Sequence, residues 1–528
     1  MTTADAPARL AYASAAGRWV LTATILGSGI ASIDATVVGI ALPAIGRSFD
    51  TGLQVLQWVV TAYTLTLAGL LLLAGALGDR YGRRRVFAVG VIWFAVASVL
   101  CGIAPNAVVL VAARALQGVG AALLAPGSLA ILQASFLPDD RSKAIGAWSG
   151  LGGVATAIGP FVGGWLVGIG ASSWRLIFAI NVPIAVLVVY LTWRHVPESR
   201  DEEASGHVDM ISGALVTAGL IGVTYGLIEG QALGWGSPAV AGALAGGAAL
   251  IAGFLWRQAR LRHPMLPLGL FASAQFSATN VVTFIVYGAL GGALFLLPIQ
   301  LQQVAGYSPL QAGVSLLPVT IVMLLLSSRS GALAARIGPR LQMSAGPVVA
   351  GCGMALFARI TAGGSYLTEV LPAVLVLGLG LAITVAPLTA TALSSAPATH
   401  AGMASAVNND VARAAGLIAV AVLPAAAGIT SAAYDSPGLL SAGFHRAVLI
   451  CAALCVLAGL LAAATVRNLG GIRGVRGVRG ATALPPARGA GGEVLEEKPW
   501  LHCAVDAPPA TPAAVAAPAA RPPAAPGS

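Results

Sequence analysis

Gly75-Ala-Leu-Gly-Asp79-Arg80-Tyr-Gly82-Arg83-Arg84-Arg85 packs four arginines, one aspartate and three glycines into eleven residues, between two long apolar runs. A related stretch, Gly331-Ala-Leu-Ala-Ala335-Arg336-Ile-Gly338-Pro-Arg340, lies 256 residues further on (75 to 331). Gly, Leu, Arg, Gly and Arg recur in register, and each copy follows a pair of apolar runs. The chain around them has 528 residues, 57% hydrophobic and only 9% charged. Soluble domains carry about 25% charged residues, so a water-facing surface cannot be built from this composition. The repeat therefore lies in a polytopic membrane protein, and its two copies divide that protein into two related halves.

Apolar runs of bilayer length predict fourteen helices, at about 19–42, 53–76, 86–104, 107–131, 143–167, 175–193, 210–229, 238–258, 274–297, 309–329, 342–358, 366–388, 401–424 and 444–466. The parse is a tail (1–18), a six-helix bundle (19–193), a loop with two extra helices (194–273), a second six-helix bundle (274–466) and a disordered tail (467–528). Repeats of this kind are expected of secondary transporters. With the N-terminus inside, inner loops hold fourteen Lys and Arg residues and outer loops four. This bias places both termini in the cytoplasm and the chain in the cytoplasmic membrane, against anionic lipid. The tail's Gly-Ile-Arg473-Gly-Val-Arg476-Gly-Val-Arg479 run is either a dispensable extension or a lipid-headgroup contact.

GALGDRYGRRR resembles the loop 2–3 signature of the major facilitator superfamily. Three segments are similar to its fourteen-helix drug:proton antiporter branch: Ile33-Asp34-Ala-Thr36 through Pro43, Arg114-Ala-Leu-Gln117-Gly118-Val-Gly120, and Gly159-Pro160-Phe-Val-Gly163-Gly164. Trp174-Arg175 through Asn181-Val-Pro183 also matches that branch. The resemblance implies a proton-coupled antiporter that exports a hydrophobic or cationic drug and confers antibiotic resistance. It implies that Asp79, Arg80 and Arg83, with Gly75 and Gly82, form a cytoplasmic gate, and that Gly159, Pro160, Gly163 and Gly164 form the antiporter element. A plain positive-inside anchor is the other reading of the arginines, and close helix packing of the glycines is expected either way.

Asp34 lies about 22 Å along the first span at 1.5 Å per residue, and Arg114 lies at matching depth in the fourth, which runs the opposite way. Ionised groups in hydrocarbon must be paired or hydrated. The two are expected to face a shared cavity and interact. A carboxyl pulled up by burial and down by a guanidinium can titrate as access alternates, which is proton coupling; the other reading is a static tie between helices. Asp410 and Arg413 share a face of the thirteenth span, where Asp410 either couples a second proton or only neutralises Arg413. Asp34, Gln117, Asp410 and Arg413 are the expected substrate contacts, with Trp58, Tyr63, Phe284, Tyr287 and Phe295 as candidate aromatic walls. Glu229 is expected to be a solvated cap at the outer boundary.

Other functions find no support. The two lysines, Lys143 and Lys498, stand in no phosphate-binding loop, so an ion gradient is the expected energy source. Six His and five Cys form no metal spacing or disulfide framework, and no nucleophile–base set is visible. No enzyme activity, cofactor, metal or nucleic acid is expected. The expected partners are a small-molecule drug or antibiotic, protons and membrane lipids, with the chain working as a monomer. Import by proton symport would use the same fold.

Overall fold

The computed structural model describes residues 9–200, 209–262, 264–396 and 401–468. Fourteen helices in it are long and apolar enough to cross a membrane. In the first half they are α1 (Ala15–Phe49), α2 (Leu53–Tyr81), α3 (Arg83–Ile103), α4 (Ala107–Ser135), α5 (Pro138–Val167) and α6 (Ser173–His195). Two helices follow, α7 (Met210–Leu233) and α8 (Pro238–Arg260). The second half holds α9 (Ala274–Gln303), α10 (Pro309–Ile337), α11 (Pro339–Arg359), α12 (Tyr366–Ser394), α13 (Gly402–Ala426) and α14 (Pro437–Thr465).

Local chemistry sets where these helices start. Ser14 Oγ accepts from Gly17 N at 3.0 Å, and Asn106 Oδ1 accepts from Val109 N at 2.9 Å. Ser308 and Gln311 form a reciprocal capping box ahead of α10. Prolines occupy the first turns of α5, α8, α10, α11 and α14, where the missing N–H is an orphan in any case. Caps lie outside the apolar middle, so most helices outrun the spans expected from hydropathy. α1 starts at Ala15, inside the expected tail, and α14 starts at Pro437 rather than 444. Residues before α1 are docked as well: Leu10 N donates to Ser135 O at 2.8 Å, and Leu137 N donates to Leu10 O at 3.1 Å. At the other end, Asn468 is the last described residue, and the Arg473–Arg479 run lies outside the described residues.

The internal repeat is three-dimensional. α1 packs on α5 and α6, α4 on α2 and α3, and α3 on α6; each pairing recurs eight helices later among α9 to α14. Gly82 and Gly338 break the chain at equivalent turns, with φ of 108° and 86°. Glycine enters that region without the steric cost of a Cβ. Beyond each break, a residue from the end of the same half caps the next helix. Arg84 N donates to Glu198 Oε1 at 3.1 Å, and Arg340 N donates to Asn468 Oδ1 at 3.0 Å. The halves meet through α1 with α9, α2 with α13, and α5 with α10.

The two ends of the molecule differ. Far from the termini, one core runs through both halves, from Leu42, Leu56 and Phe178 to Leu297, Leu377 and Phe444. At the terminus end the halves keep separate cores, one around Phe87, Phe94 and Phe136, the others around Val282 and Met343 and around Phe276 and Val407. The protein is thus closed at the far end and parted at the terminus end. Neutral groups make the closure. Gln57 Nε2 donates to Val420 O at 2.7 Å, and Gln302 Nε2 donates to Ile40 O at 2.9 Å.

α7 lies against both α2 and α13, and α8 packs on α7. Trp58 Nε1 donates to Glu229 Oε1 at 2.9 Å, and Gln54 donates to the other carboxylate oxygen. Glu229 is therefore a strut between α7 and α2, not the solvated cap expected, because two donors on α2 reach it. Apolar side chains such as Val96, Tyr190, Trp193, Trp256, Leu324 and Leu325 lie exposed on the outer faces of the helices. An apolar belt of this extent is stable only against lipid, and the chain is a multi-pass membrane protein.

Gly82→Ala is expected to lower the melting temperature in detergent, by about 1 kcal/mol of stability, because the new Cβ would lie 2.7 Å from Glu198 Oε1 at a positive φ. Gly78→Ala, inside α2 with open space around its Cβ, is the control and should not lower it, because alanine is the better helix former. A second expectation concerns Asp209 ahead of α7. Burial opposes its ionisation, but hydrogen bonds from Arg257 and Ser212 outweigh that and hold it below the usual carboxylate range. A depressed carboxyl stabilises above its unfolded pKa, near 4, and that contribution is lost as pH falls through the folded value. Wild-type and Asp209→Asn melting temperatures should therefore differ at neutral pH and converge in acid.

Candidate functional site

At the centre of the first half, Asp34 and Arg114 form a direct ion pair: Arg114 Nη1 donates to Asp34 Oδ2 at 2.5 Å, and each residue is 1% exposed. α1 and α4 run antiparallel, which brings the two to one depth. Two neutral donors complete the carboxylate. Gln117 Nε2 reaches Asp34 Oδ1 at 2.8 Å, and Asn181 Nδ2 reaches it at 3.1 Å. Ser98 Oγ accepts from both of these amides, at 2.8 and 3.3 Å. Arg114 also donates to Gln117 Oε1 at 2.5 Å and, through Nε, to Val59 O at 3.1 Å. Its guanidinium lies over the Tyr63 ring, 4.3 Å from the centroid. Five helices thus converge on one charge pair, and the groups that face it are hydrogen-bonded to one another, as a buried pair requires.

Beside this network lies a cavity of about 550 Å³, between the first half and α13 and toward the terminus end. α1 contributes Ser28, Ser32 and Thr36, α2 Tyr63, α5 Trp148, and α13 Asn409 and Arg413. Of the four residues expected to contact substrate, Arg413 alone lines the cavity. Asp34 and Gln117 are buried off the wall, engaged with Arg114. Asp410 is rotated off the cavity wall, three residues from Arg413, and its Oδ1 is buried without a hydrogen-bond partner among the described residues. The acidic lining expected from Asp34 and Asp410 is therefore absent. Tyr63 is the one expected aromatic on the wall. Phe295 is in the core, Trp58 is held by Glu229, Tyr287 packs on the second-half core, and Phe284 is 40% exposed on the outside.

Across the Gly82 turn that joins α2 to α3, Asp79 and Arg83 pair with each other at 2.9 Å, while Arg84 and Arg85 face Glu198 at 3.7 and 3.5 Å. All three ion pairs lie within the first half. Arg80 lies over the Tyr81 ring, 5.5 Å from its centroid. Gly75 approaches Pro126 of α4 at 3.8 Å from the position of a Cβ. On α5, a Cβ at Gly159 would overlap Thr36 of α1, one at Gly163 would crowd Val37, and one at Gly164 would lie 2.5 Å from Pro309 O. A Cβ at Gly313 would in turn overlap the carbonyl of Pro160. The four residues Gly159 to Gly164 therefore bring α5 against α1 and against α10 of the other half, at the closed end.

The sequence profile of the Major Facilitator Superfamily matches residues 24–421. The chain belongs to that superfamily. It is 35% identical over 426 residues to the tetracenomycin C resistance and export protein of Streptomyces glaucescens, a match covering 80% of this chain and 79% of that one. It is 36% identical over 420 residues to the puromycin resistance protein pur8 of Streptomyces alboniger, covering 79% and 83%. The crystal structure of a D-xylose–proton symporter superposes with a TM-score of 0.61 over 86% of this chain and 99% of that one, at 16% identity. At that identity the likeness is one of fold.

Within this superfamily fold, Ser98 and Asn181 complete the buried network, and sequence reasoning gave neither a role. Ser98 is a neutral residue in an apolar run and leaves no signal. Asn181 did leave one: it stands in the Trp174–Pro183 motif, just after α6 becomes irregular at Ile180, which lets its amide reach Asp34.

Arg114→Met is expected to cost about 3–5 kcal/mol of stability by leaving Asp34 buried and ionised with amides alone. Asn181→Ala, which removes one neutral donor, should cost about 1 kcal/mol. Denaturation midpoints of the purified protein check the order; equal losses would contradict the assignment.

Proposed function

We propose that the protein is a proton-coupled antiporter that exports a drug or antibiotic across the cytoplasmic membrane, with both termini inside. Kinship with resistance and export proteins at 35–36% identity supports the direction and the kind of cargo. The single observation that carries the mechanism is Asp34: a carboxylate sealed beside a drug-sized cavity and held by side chains from two other helices.

The cavity open toward the terminus end accepts substrate from the cytoplasm. Its volume suits a drug-sized molecule, and its apolar walls suit a hydrophobic one. Protonation of Asp34 removes the charge that Arg114 answers, while Arg114 keeps Gln117 and the Val59 carbonyl. The tie between α1 and α4 then weakens, and the halves can rock. Asp34 thus couples the proton, Arg114 sets its affinity, and Asp410 is the candidate for a second proton site beside Arg413. The Asp79–Arg83 loop, with Arg80, Gly75 and Gly82, latches the terminus end when that end shuts. Gly159, Pro160, Gly163 and Gly164 seal the far end in the state described. A single chain contains all of these parts, so the working unit is a monomer surrounded by lipid.

The test is drug movement in inside-out vesicles under an imposed pH gradient. Acidifying the lumen should drive drug uptake, and Asp34→Asn should abolish that uptake while the protein stays in the membrane. Uptake that persists in Asp34→Asn would end the coupling role. Drug movement in the same direction as the protons would replace antiport with symport.

A further inference from the structure

The charges around the cavity do not suit a cationic cargo. Arg413 is the only ionised side chain on the cavity wall among the described residues. The Asp34 and Arg114 charges answer each other behind the wall. Asp410 does not line the cavity. Arg413 makes no hydrogen bond and no ion pair within 4 Å among the described residues, and the one carboxyl near enough to feel its charge is the buried Asp410 behind the wall. A guanidinium presents five donors in a fixed fork matched to an oxyanion, and here that fork faces a space large enough for a ligand.

The opposite wall has the complementary polarity. The hydroxyls of Ser28, Ser32 and Thr36 donate to carbonyls of α1 itself, Ser28 to Thr24 O at 2.8 Å, Ser32 to Ser28 O at 3.1 Å and Thr36 to Ile33 O at 3.0 Å. Their donors are spent locally; Ser28 Oγ also accepts from Trp148 Nε1 at 2.8 Å, so the free lone pairs offered to the cavity are chiefly those of Ser32 and Thr36. Between the two walls the surface is apolar, from Ala35 and Leu67 to Ala121.

We infer that the cavity selects an amphipathic organic anion: an apolar ring body whose ionised carboxylate or acidic hydroxyl pairs with Arg413 on α13, while the α1 hydroxyls accept from its neutral donors. This rests on the reading of this cavity as the transport site, and it reverses the preference for cations that the aspartates would have given. Arg413 is a specificity-determining residue of the second half facing hydroxyls of the first, so the ligand spans the two halves that must move.

The experiment measures binding rather than transport, so that its failure is distinct from a failure of the export reading. Three aromatic probes share one ring skeleton and carry a carboxylate, a carboxamide or an amine; a fourth carries an acidic phenol. Each is titrated by fluorescence quenching against the full chain in detergent at fixed pH. The carboxylate should bind more tightly than the carboxamide, on the order of tenfold to a hundredfold, the size of one charge-assisted hydrogen bond. The phenol separates the two acid types: tight binding when ionised supports the acidic-hydroxyl form, and binding equal to the carboxamide limits the class to carboxylates. Arg413→Gln should bring the carboxylate down to the carboxamide value. Asn409→Asp, which places a carboxylate one helical turn from Arg413 on the same wall, should weaken the carboxylate probe and strengthen the amine, and it keeps the test decisive if the first variant does not fold. An amine that binds best to the unaltered protein, or a carboxylate-to-amine ratio unmoved by either variant, would overturn the assignment.

Discussion

One charge pair organises the first half of this protein. An isolated Asp34 or Arg114 in an apolar bundle would cost several kcal/mol, so the surrounding helices are arranged to leave neither alone. Gln117 is one turn from Arg114, Asn181 enters where α6 is irregular, Ser98 links the two amides, and the Val59 carbonyl takes the Nε–H of the guanidinium. Because each partner comes from a different helix, the pair also fixes how those helices are disposed. A change in the charge of one carboxyl would be felt across the whole half.

Among the described residues, the second half has no such buried ion pair. Its α9 and α13 are joined by neutral groups, with Asn408 donating to Asn280 Oδ1 at 3.1 Å and to Thr283 Oγ1 at 2.9 Å. The two repeat loops show the same division of labour. Glu198 serves the first with charge and Asn468 serves the second without it, in matching positions. The fold is repeated, but the buried ion pair belongs to the first half, and that half lines most of the cavity.

Much of this was legible in the sequence for a physical reason. Charges are so disfavoured in apolar spans that the few present stand out, and antiparallel neighbours at equal depth must meet. Hence Asp34 and Arg114 could be paired on paper, and the fourteen spans and the 256-residue repeat could be read from hydropathy and glycine spacing. Rotation about each helix axis could not be read. A residue's depth says nothing of which way it faces, and that is what separates the buried Asp34 and Gln117 from the cavity wall. One helical turn decides the same for Asp410 against Arg413. Glu229 was placed at the right boundary, but its donors come from a helix more than 170 residues away in sequence, and no local pattern announces them.

The extra helix α7 has a consequence for how an apolar cargo meets this protein. It lies along both α2 and α13, across the seam where the two halves meet on that side, and it is pinned to α2 through Glu229 and through the close approach of Thr217 to Gly69. Acyl chains cannot press into that seam. The opposite seam, between α5 and α10, has no such cover among the described residues: Leu151 is 49% exposed, and Gly150, Gly152 and Gly153 have no neighbour where a Cβ would stand. The two flanks of the cavity are therefore unequal toward the bilayer. A molecule dissolved in the membrane meets a third helix on one side and bare glycine backbone on the other.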